Sequence, residues 1–437
     1  MRDFDIKQTP GDTSWFLQDR FGMFIHFGLY SMPARHEWVK SVEKISEEQY
    51  DKYFKYFNPD KFDAKKWAAQ AKKAGMKYAV MTAKHHEGFC LFDSAYTDYK
   101  STNTPAKRDF IKEYTDAFRE AGLKVGIYYS LIDWHHPDYQ IDIFHPRRAE
   151  EWAEEANRTR SMERYREYLF NQVRELMTNY GKIDIIWFDF TYPNMDSIRN
   201  EYNQFAIRDY KEWMPWTTKE TWDSEGLINM IRDINPDIII NDRLGISQDT
   251  VTPEQSITTR WPIDRETGKL AVWEACHTFS GSWGYYRDEM SWKSSEMLIR
   301  ILIRTVSCGG NLIMNVGPTS RGNFDKRAEK ALEAFSDWID KNSRAIYDCS
   351  VADSDIVPPV GTLLTQSMDG KRLYIHLIEY PYSELDMENI ADRIDYAQFL
   401  HDGSEIRYRK NQSGTVSFLI PSIKPNETVP VIEVFLK

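Results

Sequence analysis

Polar side chains able to bind and activate a substrate recur at one kind of place in this chain, directly after an apolar run. His26 follows FGMFI, and His85, His86 and Glu87 follow YAVMTAK. Tyr128, Tyr129 and Asp133 close VGIYYSLID, and Asp189 stands near the end of KIDIIWFDF. Asn241, Asp242 and Arg243 end DIIINDR, and Glu254, Glu274 and His277 fall on the stretch that follows. The chain has no GxSxG elbow, no Ser/His/Asp set and no Gly-rich phosphate loop. Carboxylates, neutral hydrogen-bonding groups and aromatics remain. Two carboxylates flanking a glycosidic bond are the usual means of breaking it: one attacks the anomeric carbon, and the other protonates the leaving oxygen and later activates water. His, Tyr and Arg would hold hydroxyls, while Trp and Phe cover the apolar face of a sugar ring.

Each residue also has a plainer reading. His26, between Ile25 and Phe27, taken alone reads as a hydrogen-bonded core histidine. His85 and His86 suggest a metal site, but neighbours on a strand point to opposite sides, and no third ligand falls at zinc-like spacing. Asp133 and Asp242 read equally as anchors for loops. Asp184, at the start of its strand, reads as structural or solvent-facing. Asp189, at the other end, is the candidate nucleophile, because a carboxylate among Ile, Trp and Phe is costly unless paired or used.

The elements that must position these groups repeat. Asp63 caps a helix whose Trp67, Ala68, Ala71 and Ala74 share a face, Gly75 ends it, and KYAVMTAKHH follows. Four further units of helix and buried strand carry IKEYTDAFREAG, the run from Leu169 to Tyr180, GLINMIRDIN and EMLIRILIRTVSCGG. Continuous apolar runs between helices indicate parallel strands covered on both faces. With FGMFIHFG and AVWEACH the count reaches at least seven, which suits a (β/α)8-like TIM barrel whose site lies at the C-terminal strand ends. A doubly wound sheet is the alternative. After about Lys341 the helical period stops. GTLLTQSMDGKRLYIHLIE, GTVSFLIPS and PVIEVFLK, with an Asp369-Gly370 hairpin turn, read as a C-terminal antiparallel β-sandwich. The expected division is 1–345 for the barrel and 346–437 for the sandwich.

With 437 residues of which 41% are hydrophobic, the chain can bury a large core, and a net charge of −11 disfavours nucleic acid and anionic membrane as partners. No window is apolar enough to span a bilayer. The four cysteines are far apart and lack CxxC spacing, so neither a zinc knuckle nor a disulfide framework is expected. The N-terminus lacks the apolar core of a signal peptide, which reads as cytoplasmic, or as periplasmic or secreted if a leader has been trimmed. Oligomeric state is left open, with a homo-oligomer among the alternatives.

These residues lie in stretches that resemble the α-L-fucosidases of glycoside hydrolase family 29: FGMFIHFGLYS, HEWV, AKHHEGFCLFDS, GIYYSLIDWHHPDY, IIWFDF, NDR, TPEQ, VWEACHTFSGSWGY and GGNLIMNVGP, in the family's order. The resemblance implies a (β/α)8-like catalytic domain, a C-terminal β-sandwich, and retaining hydrolysis of terminal α-L-fucosyl residues of oligosaccharides or glycoconjugates, with no metal or cofactor. It implies Asp189 as nucleophile, and His26, Glu37, Trp38, His85, His86, Tyr128 and Arg243 in the fucose pocket, with Trp283 as an aromatic wall. An apolar wall suits a 6-deoxy sugar, whose C6 methyl needs no hydroxyl partner. The acid/base varies in position across the family. Glu254 is the first choice and Glu274 the second. Phe190 stands where many relatives have Gly, and Ala275 replaces a frequent Thr or Asn. A barrel glycosidase acting on a galactoside-like sugar and a non-catalytic carbohydrate-binding relative are the competing readings.

Overall fold

The structure, a computed structural model, describes residues 2–198, 204–411 and 414–437. Seven strands lie parallel in one curled sheet: β1 (Phe21–Ile25), β2 (Tyr78–Lys84), β3 (Lys124–Ser130), β4 (Ile185–Asp189), β5 (Ile239–Ile240), β6 (Glu274–Thr278) and β7 (Asn311–Val316). Their order is β5-β4-β3-β2-β1-β7-β6. The connections form as the sequence pattern demands. The Asp63 carboxylate accepts the N–H of Lys66 and starts helix Ala64–Lys73, which buries Trp67, Ala68 and Ala71. Gly75 then turns the chain at φ 90°, a left-handed geometry that favours glycine, and β2 follows. Asp109 caps helix Phe110–Glu120 in the same way before β3.

Alternation along the strands decides what faces inward. Phe24, Tyr78, Val80, Tyr128, Ile185 and Trp187 pack together inside the barrel. Their neighbours Ile25, Ala79, Ile127, Ile186 and Phe188 join the cluster beneath the helices. Asp189 is two residues beyond Trp187 and so falls on the inward side.

The sheet alone leaves an opening between β5 and β6, and residues 249–255 fill it. The Asp249 N–H donates to Ile240 O at 3.0 Å on the β5 side. Toward β6, the Val251 N–H donates to Val272 O (3.0 Å), Glu274 N–H to Val251 O (2.9 Å), Cys276 N–H to Pro253 O (3.1 Å) and Gln255 N–H to Cys276 O (3.0 Å). The stretch that holds Glu254 is therefore an irregular eighth stave. Pro253, which has no N–H to give, keeps it from forming a regular ladder.

Beyond the barrel, strands Cys349–Ser350, Thr362–Ser367, Arg372–Leu377, Ile394–Phe399 and Val431–Leu436 form one antiparallel sheet, and Glu384–Met387, Tyr408–Lys410 and Val416–Leu419 another. Leu373, Ile375, Phe399, Val416, Phe418 and Val434 share the core of this β-sandwich. It docks on helix Lys326–Asn342, where the Trp338 indole N–H donates to Val429 O at 2.9 Å.

Candidate active site

The C-terminal strand ends open into a cavity of about 460 Å³ lined by His26, Glu37, Trp38, His85, His86, Tyr128, Asp189, Glu254 and Trp283, among others. Asp189 closes β4, and β4 is clamped to the chain after β5 by Asn241. The Asn241 amide donates to Phe188 O and its Oδ1 accepts the Phe188 N–H, both at 2.9 Å. The Asp189 carboxylate is then held from three directions. The Tyr128 hydroxyl donates to Oδ2 at 3.1 Å, the Phe190 N–H donates to Oδ1 at 3.0 Å, and Arg243 Nη1 lies 3.4 Å from Oδ1. Burial pushes this carboxyl up to about 7, with Arg243 opposing and Glu254 reinforcing the rise.

Arg243 spans two carboxylates. Its Nη2 lies 3.3 Å from Glu254 Oε2 while its Nη1 faces Asp189. The guanidinium is aimed by the eighth stave: Nε donates to Thr252 Oγ1 and Nη2 to Thr252 O, each at 3.0 Å. Asp242 holds Thr252 in turn, accepting its hydroxyl at 2.5 Å, and the cation lies over the Trp187 ring at 5.3 Å. Burial would lower the Arg243 pKa, but Glu254 and Asp189 outweigh it and hold the group cationic.

The histidines present acceptors. The Asn315 amide N–H donates to Trp283 O at 2.7 Å, so its Oδ1 faces His26 Nδ1, also at 2.7 Å, as an acceptor. His26 therefore carries its proton on Nδ1 and leaves Nε2 with a lone pair. The same logic applies to His86. The Ser130 hydroxyl donates to Ile132 O at 2.8 Å, so His86 Nδ1 must donate to Ser130 Oγ at 2.7 Å. Burial lowers His26 to about 3 and pushes His85 and His86 well below the ordinary range, so all three are neutral. The Nε2 atoms of His26 and His86 suit hydroxyl donors of a sugar.

The alpha-L-fucosidase family model matches residues 4–344. The chain belongs to the alpha-L-fucosidase family. It is 30% identical to the plasma alpha-L-fucosidase of Homo sapiens over 411 residues, covering 87% of this chain and 78% of that protein. The solved structure of alpha-L-fucosidase isoenzyme 1 from Paenibacillus thiaminolyticus superposes with a TM-score of 0.88 at 40% identity, covering 97% of this chain and 98% of that one. A family 29 alpha-L-fucosidase from Bacteroides thetaiotaomicron, described as a trapped covalent intermediate with 2-fluoro-fucosyl fluoride, superposes at 0.79 with 28% identity, covering 100% of this chain and 98% of that one. The protein is thus a glycoside hydrolase.

Within this fucosidase frame the remaining candidates sort by position. Glu37 is buried in the cavity wall, and its Oε2 accepts the Gly284 N–H at 2.7 Å, tying the loop after β1 to the loop after β6. Trp38 lies 4.9 Å from the His86 ring, and Trp283 lies 5.2 Å from that of His26. Glu274 is not at the mouth. It is the first residue of β6, buried at the lower end of the barrel, and its Oε1 accepts the hydroxyl of Tyr78, the first residue of β2, at 2.6 Å. The expectation that it could serve as second-choice acid/base fails on place: a group at the start of a parallel strand is a strand's length from the catalytic face. Burial raises its pKa to about 7. The opposite-sides argument for His85 and His86 also fails, because both lie beyond β2 in a turn and line the same cavity, with ring centroids 3.9 Å apart. Among the described residues no group of three His, Cys, Asp or Glu is arranged to hold a metal.

Other strand-end residues are props. Glu87 accepts the Leu29 N–H at 3.0 Å and the Tyr50 hydroxyl, fixing the turn after His26. Asp133 pairs with buried Lys84 at 3.1 Å, and Asp184 accepts the Val125 N–H at 2.9 Å. His277 is outside the cavity lining. Sequence reasoning missed Tyr192, Gln255 and Ser282, which line the cavity beside Phe190, and Asn315, which orients His26. Asn315 was within reach, since it sits near the end of β7 and the strand-end rule applied to NLIMNVGP would have found it. Phe190 adopts φ 82°, in the left-handed region, at a cost of order 1 kcal/mol for a residue with a side chain. Glycine would adopt the same geometry without that cost.

Proposed function

We propose that this chain is a retaining, exo-acting α-L-fucosidase that releases terminal α-L-fucosyl residues from oligosaccharides or glycoconjugates by double displacement. Asp189 attacks the anomeric carbon while Glu254 protonates the departing oxygen. In the second step Glu254 takes a proton from water, which attacks the fucosyl ester and frees Asp189. The observation that carries this reading is the bridge: one guanidinium touches both carboxylates, and only one of them is held rigidly by three donors. A rigid carboxylate suits a nucleophile, and Glu254, with 44% of its side chain exposed, suits exchange of protons with leaving group and water. Mutual repulsion of the two carboxylates vanishes when Asp189 is esterified, and Arg243 then faces Glu254 alone as it acts as a base. The trapped fucosyl intermediate of the Bacteroides relative supports retention.

Fucose is favoured over galactose by the walls. Phe24, Trp187 and Trp283 offer apolar ring surface that would suit a C6 methyl. A pure binding protein has no need for a desolvated carboxylate aimed from a strand end.

The test is hydrolysis of aryl α-L-fucoside against aryl galactosides by wild type and Asp189→Ala. Wild type should cleave only the fucoside, and the variant should lose at least about a thousandfold in kcat while still binding fucose. Full activity in the variant refutes the assignment. Azide should rescue Glu254→Ala on an aryl fucoside, giving β-fucosyl azide. If Glu37→Ala is rescued and Glu254→Ala is not, the acid/base role passes to Glu37, which lines the same cavity and whose carboxyl burial raises above the ordinary range.

A further inference from the structure

Among the described residues Phe190 is the largest apolar side chain whose backbone lies in the left-handed region, and its surroundings hold it there. The backbone turns through φ 82° directly after Asp189, and the peptide that enters the turn donates its Phe190 N–H to Asp189 Oδ1. Thr217 fastens the far side. Its hydroxyl lies 3.4 Å from Phe190 O as donor, and its Oγ1 accepts the Tyr192 N–H at 2.9 Å. The ring is 6% exposed and wedged among four others: His86 edge-on at 4.3 Å, Phe144 at 5.1 Å, Tyr192 at 5.1 Å and Trp38 at 5.3 Å. A glycine would make the bend without strain but would leave His86 and Trp38 unsupported on one side.

We infer that Phe190 is a positioning residue with two separable actions: its bend orients the attacking carboxylate, and its ring fixes the sugar-binding wall formed by His86 and Trp38. The inference rests on the reading of Asp189 as the nucleophile for the first action only. A core aromatic with no such role would affect the amount of folded protein and nothing else.

Two substitutions separate the actions. Phe190→Gly removes the ring and adopts the bend without strain, whereas Phe190→Ala removes the ring that holds the bend and keeps the Cβ that strains it. Both should raise KM for an aryl α-L-fucoside about tenfold, as expected for loss of several aromatic contacts. Phe190→Ala should in addition lower kcat roughly fivefold below Phe190→Gly, and slow covalent trapping by 2-deoxy-2-fluoro-fucosyl fluoride by a similar factor. Wild-type KM in both variants, together with equal kcat, overturns the inference. If neither variant is soluble, Phe190→Leu keeps most of the volume and must show the same rise in KM; an unchanged KM there also overturns it. Titration calorimetry with fucose reads the ring's action without turnover. Wild-type protein that binds fucose but fails to cleave the fucoside therefore removes the mechanistic reading and leaves the wall testable by weaker fucose binding in Phe190→Gly.

Discussion

Replacing Arg243 by methionine removes the charge between the two carboxylates while keeping much of the side chain's length. In the wild type, Asp189 is raised to about 7 because burial outweighs Arg243. A nucleophile must be ionised, so activity should rise with pH through that value, giving kcat/KM an acid limb near 7. At 3.4 Å from Oδ1, the guanidinium is the principal charge favouring the carboxylate. A unit charge about 4 Å away is worth up to about 4 kcal/mol at an effective dielectric of about 20, and the partial exposure of both side chains reduces this. A rise of about 1–2 pH units in the acid limb is therefore expected, within the range opposite charges produce at contact. At pH 7 the ionised fraction falls from about one half to about 1–10%, so kcat/KM should drop roughly five- to fiftyfold.

The distinguishing feature is recovery. A pH-rate profile with an aryl α-L-fucoside should show the deficit shrinking as pH rises toward 9, where Asp189 ionises without help. Loss of a mere sugar contact would give a deficit of the same size at every pH. Because Arg243 also bonds Thr252, thermal unfolding of the variant should be followed in parallel, and Arg243→Lys, which restores a cation, should return part of the limb. An acid limb at the wild-type position in Arg243→Met would refute the electrostatic argument, however much activity was lost.

Two further outcomes follow from single contacts. Tyr128→Phe removes the hydroxyl bonded to Asp189 Oδ2. It should lower kcat/KM at pH 7 about tenfold and move the acid limb upward by less than Arg243→Met does. Glu274→Gln should leave kcat and KM within about twofold, since the group lies away from the cavity, and should change stability in a pH-dependent way. Its folded pKa, raised from 4.5 to about 7, means the stability associated with its protonated form is present below pH 4.5 and is lost as pH rises through 7. The glutamine variant escapes that loss, so its unfolding free energy relative to wild type should rise by up to about 3 kcal/mol between pH 4.5 and 8. A flat difference across chemical denaturation at those pH values would refute the burial argument.

How far the sequence reveals the site depends on which geometric quantity each residue needs. Period-two alternation specifies the side a strand residue faces, and the helix-strand repeat specifies which end of the strand carries chemistry, so His26, Tyr128 and Asp189 were legible as inward groups at the mouth. Glu274 shows where that reasoning stops. Alternation says nothing about where a strand begins, and AVWEACH reads as apolar on both sides of the glutamate, yet the ladder with β7 starts at Glu274, opposite Asn311. The stave itself was hidden because Pro253 and the polar residues around it break every strand signal, while main-chain bonds to β6 impose a strand's path on it. Its concealment and the ambiguity over Glu254 share one cause. The register of β6 against β7 puts Glu274 at its start, and the stave's own pairing with β6 carries Glu254 alongside Cys276, further up the strand and onto the level of Asp189, where Arg243 spans both. A residue whose height in the barrel is set by a neighbour's register, and not by its own pattern, becomes legible only when the two strands are placed side by side.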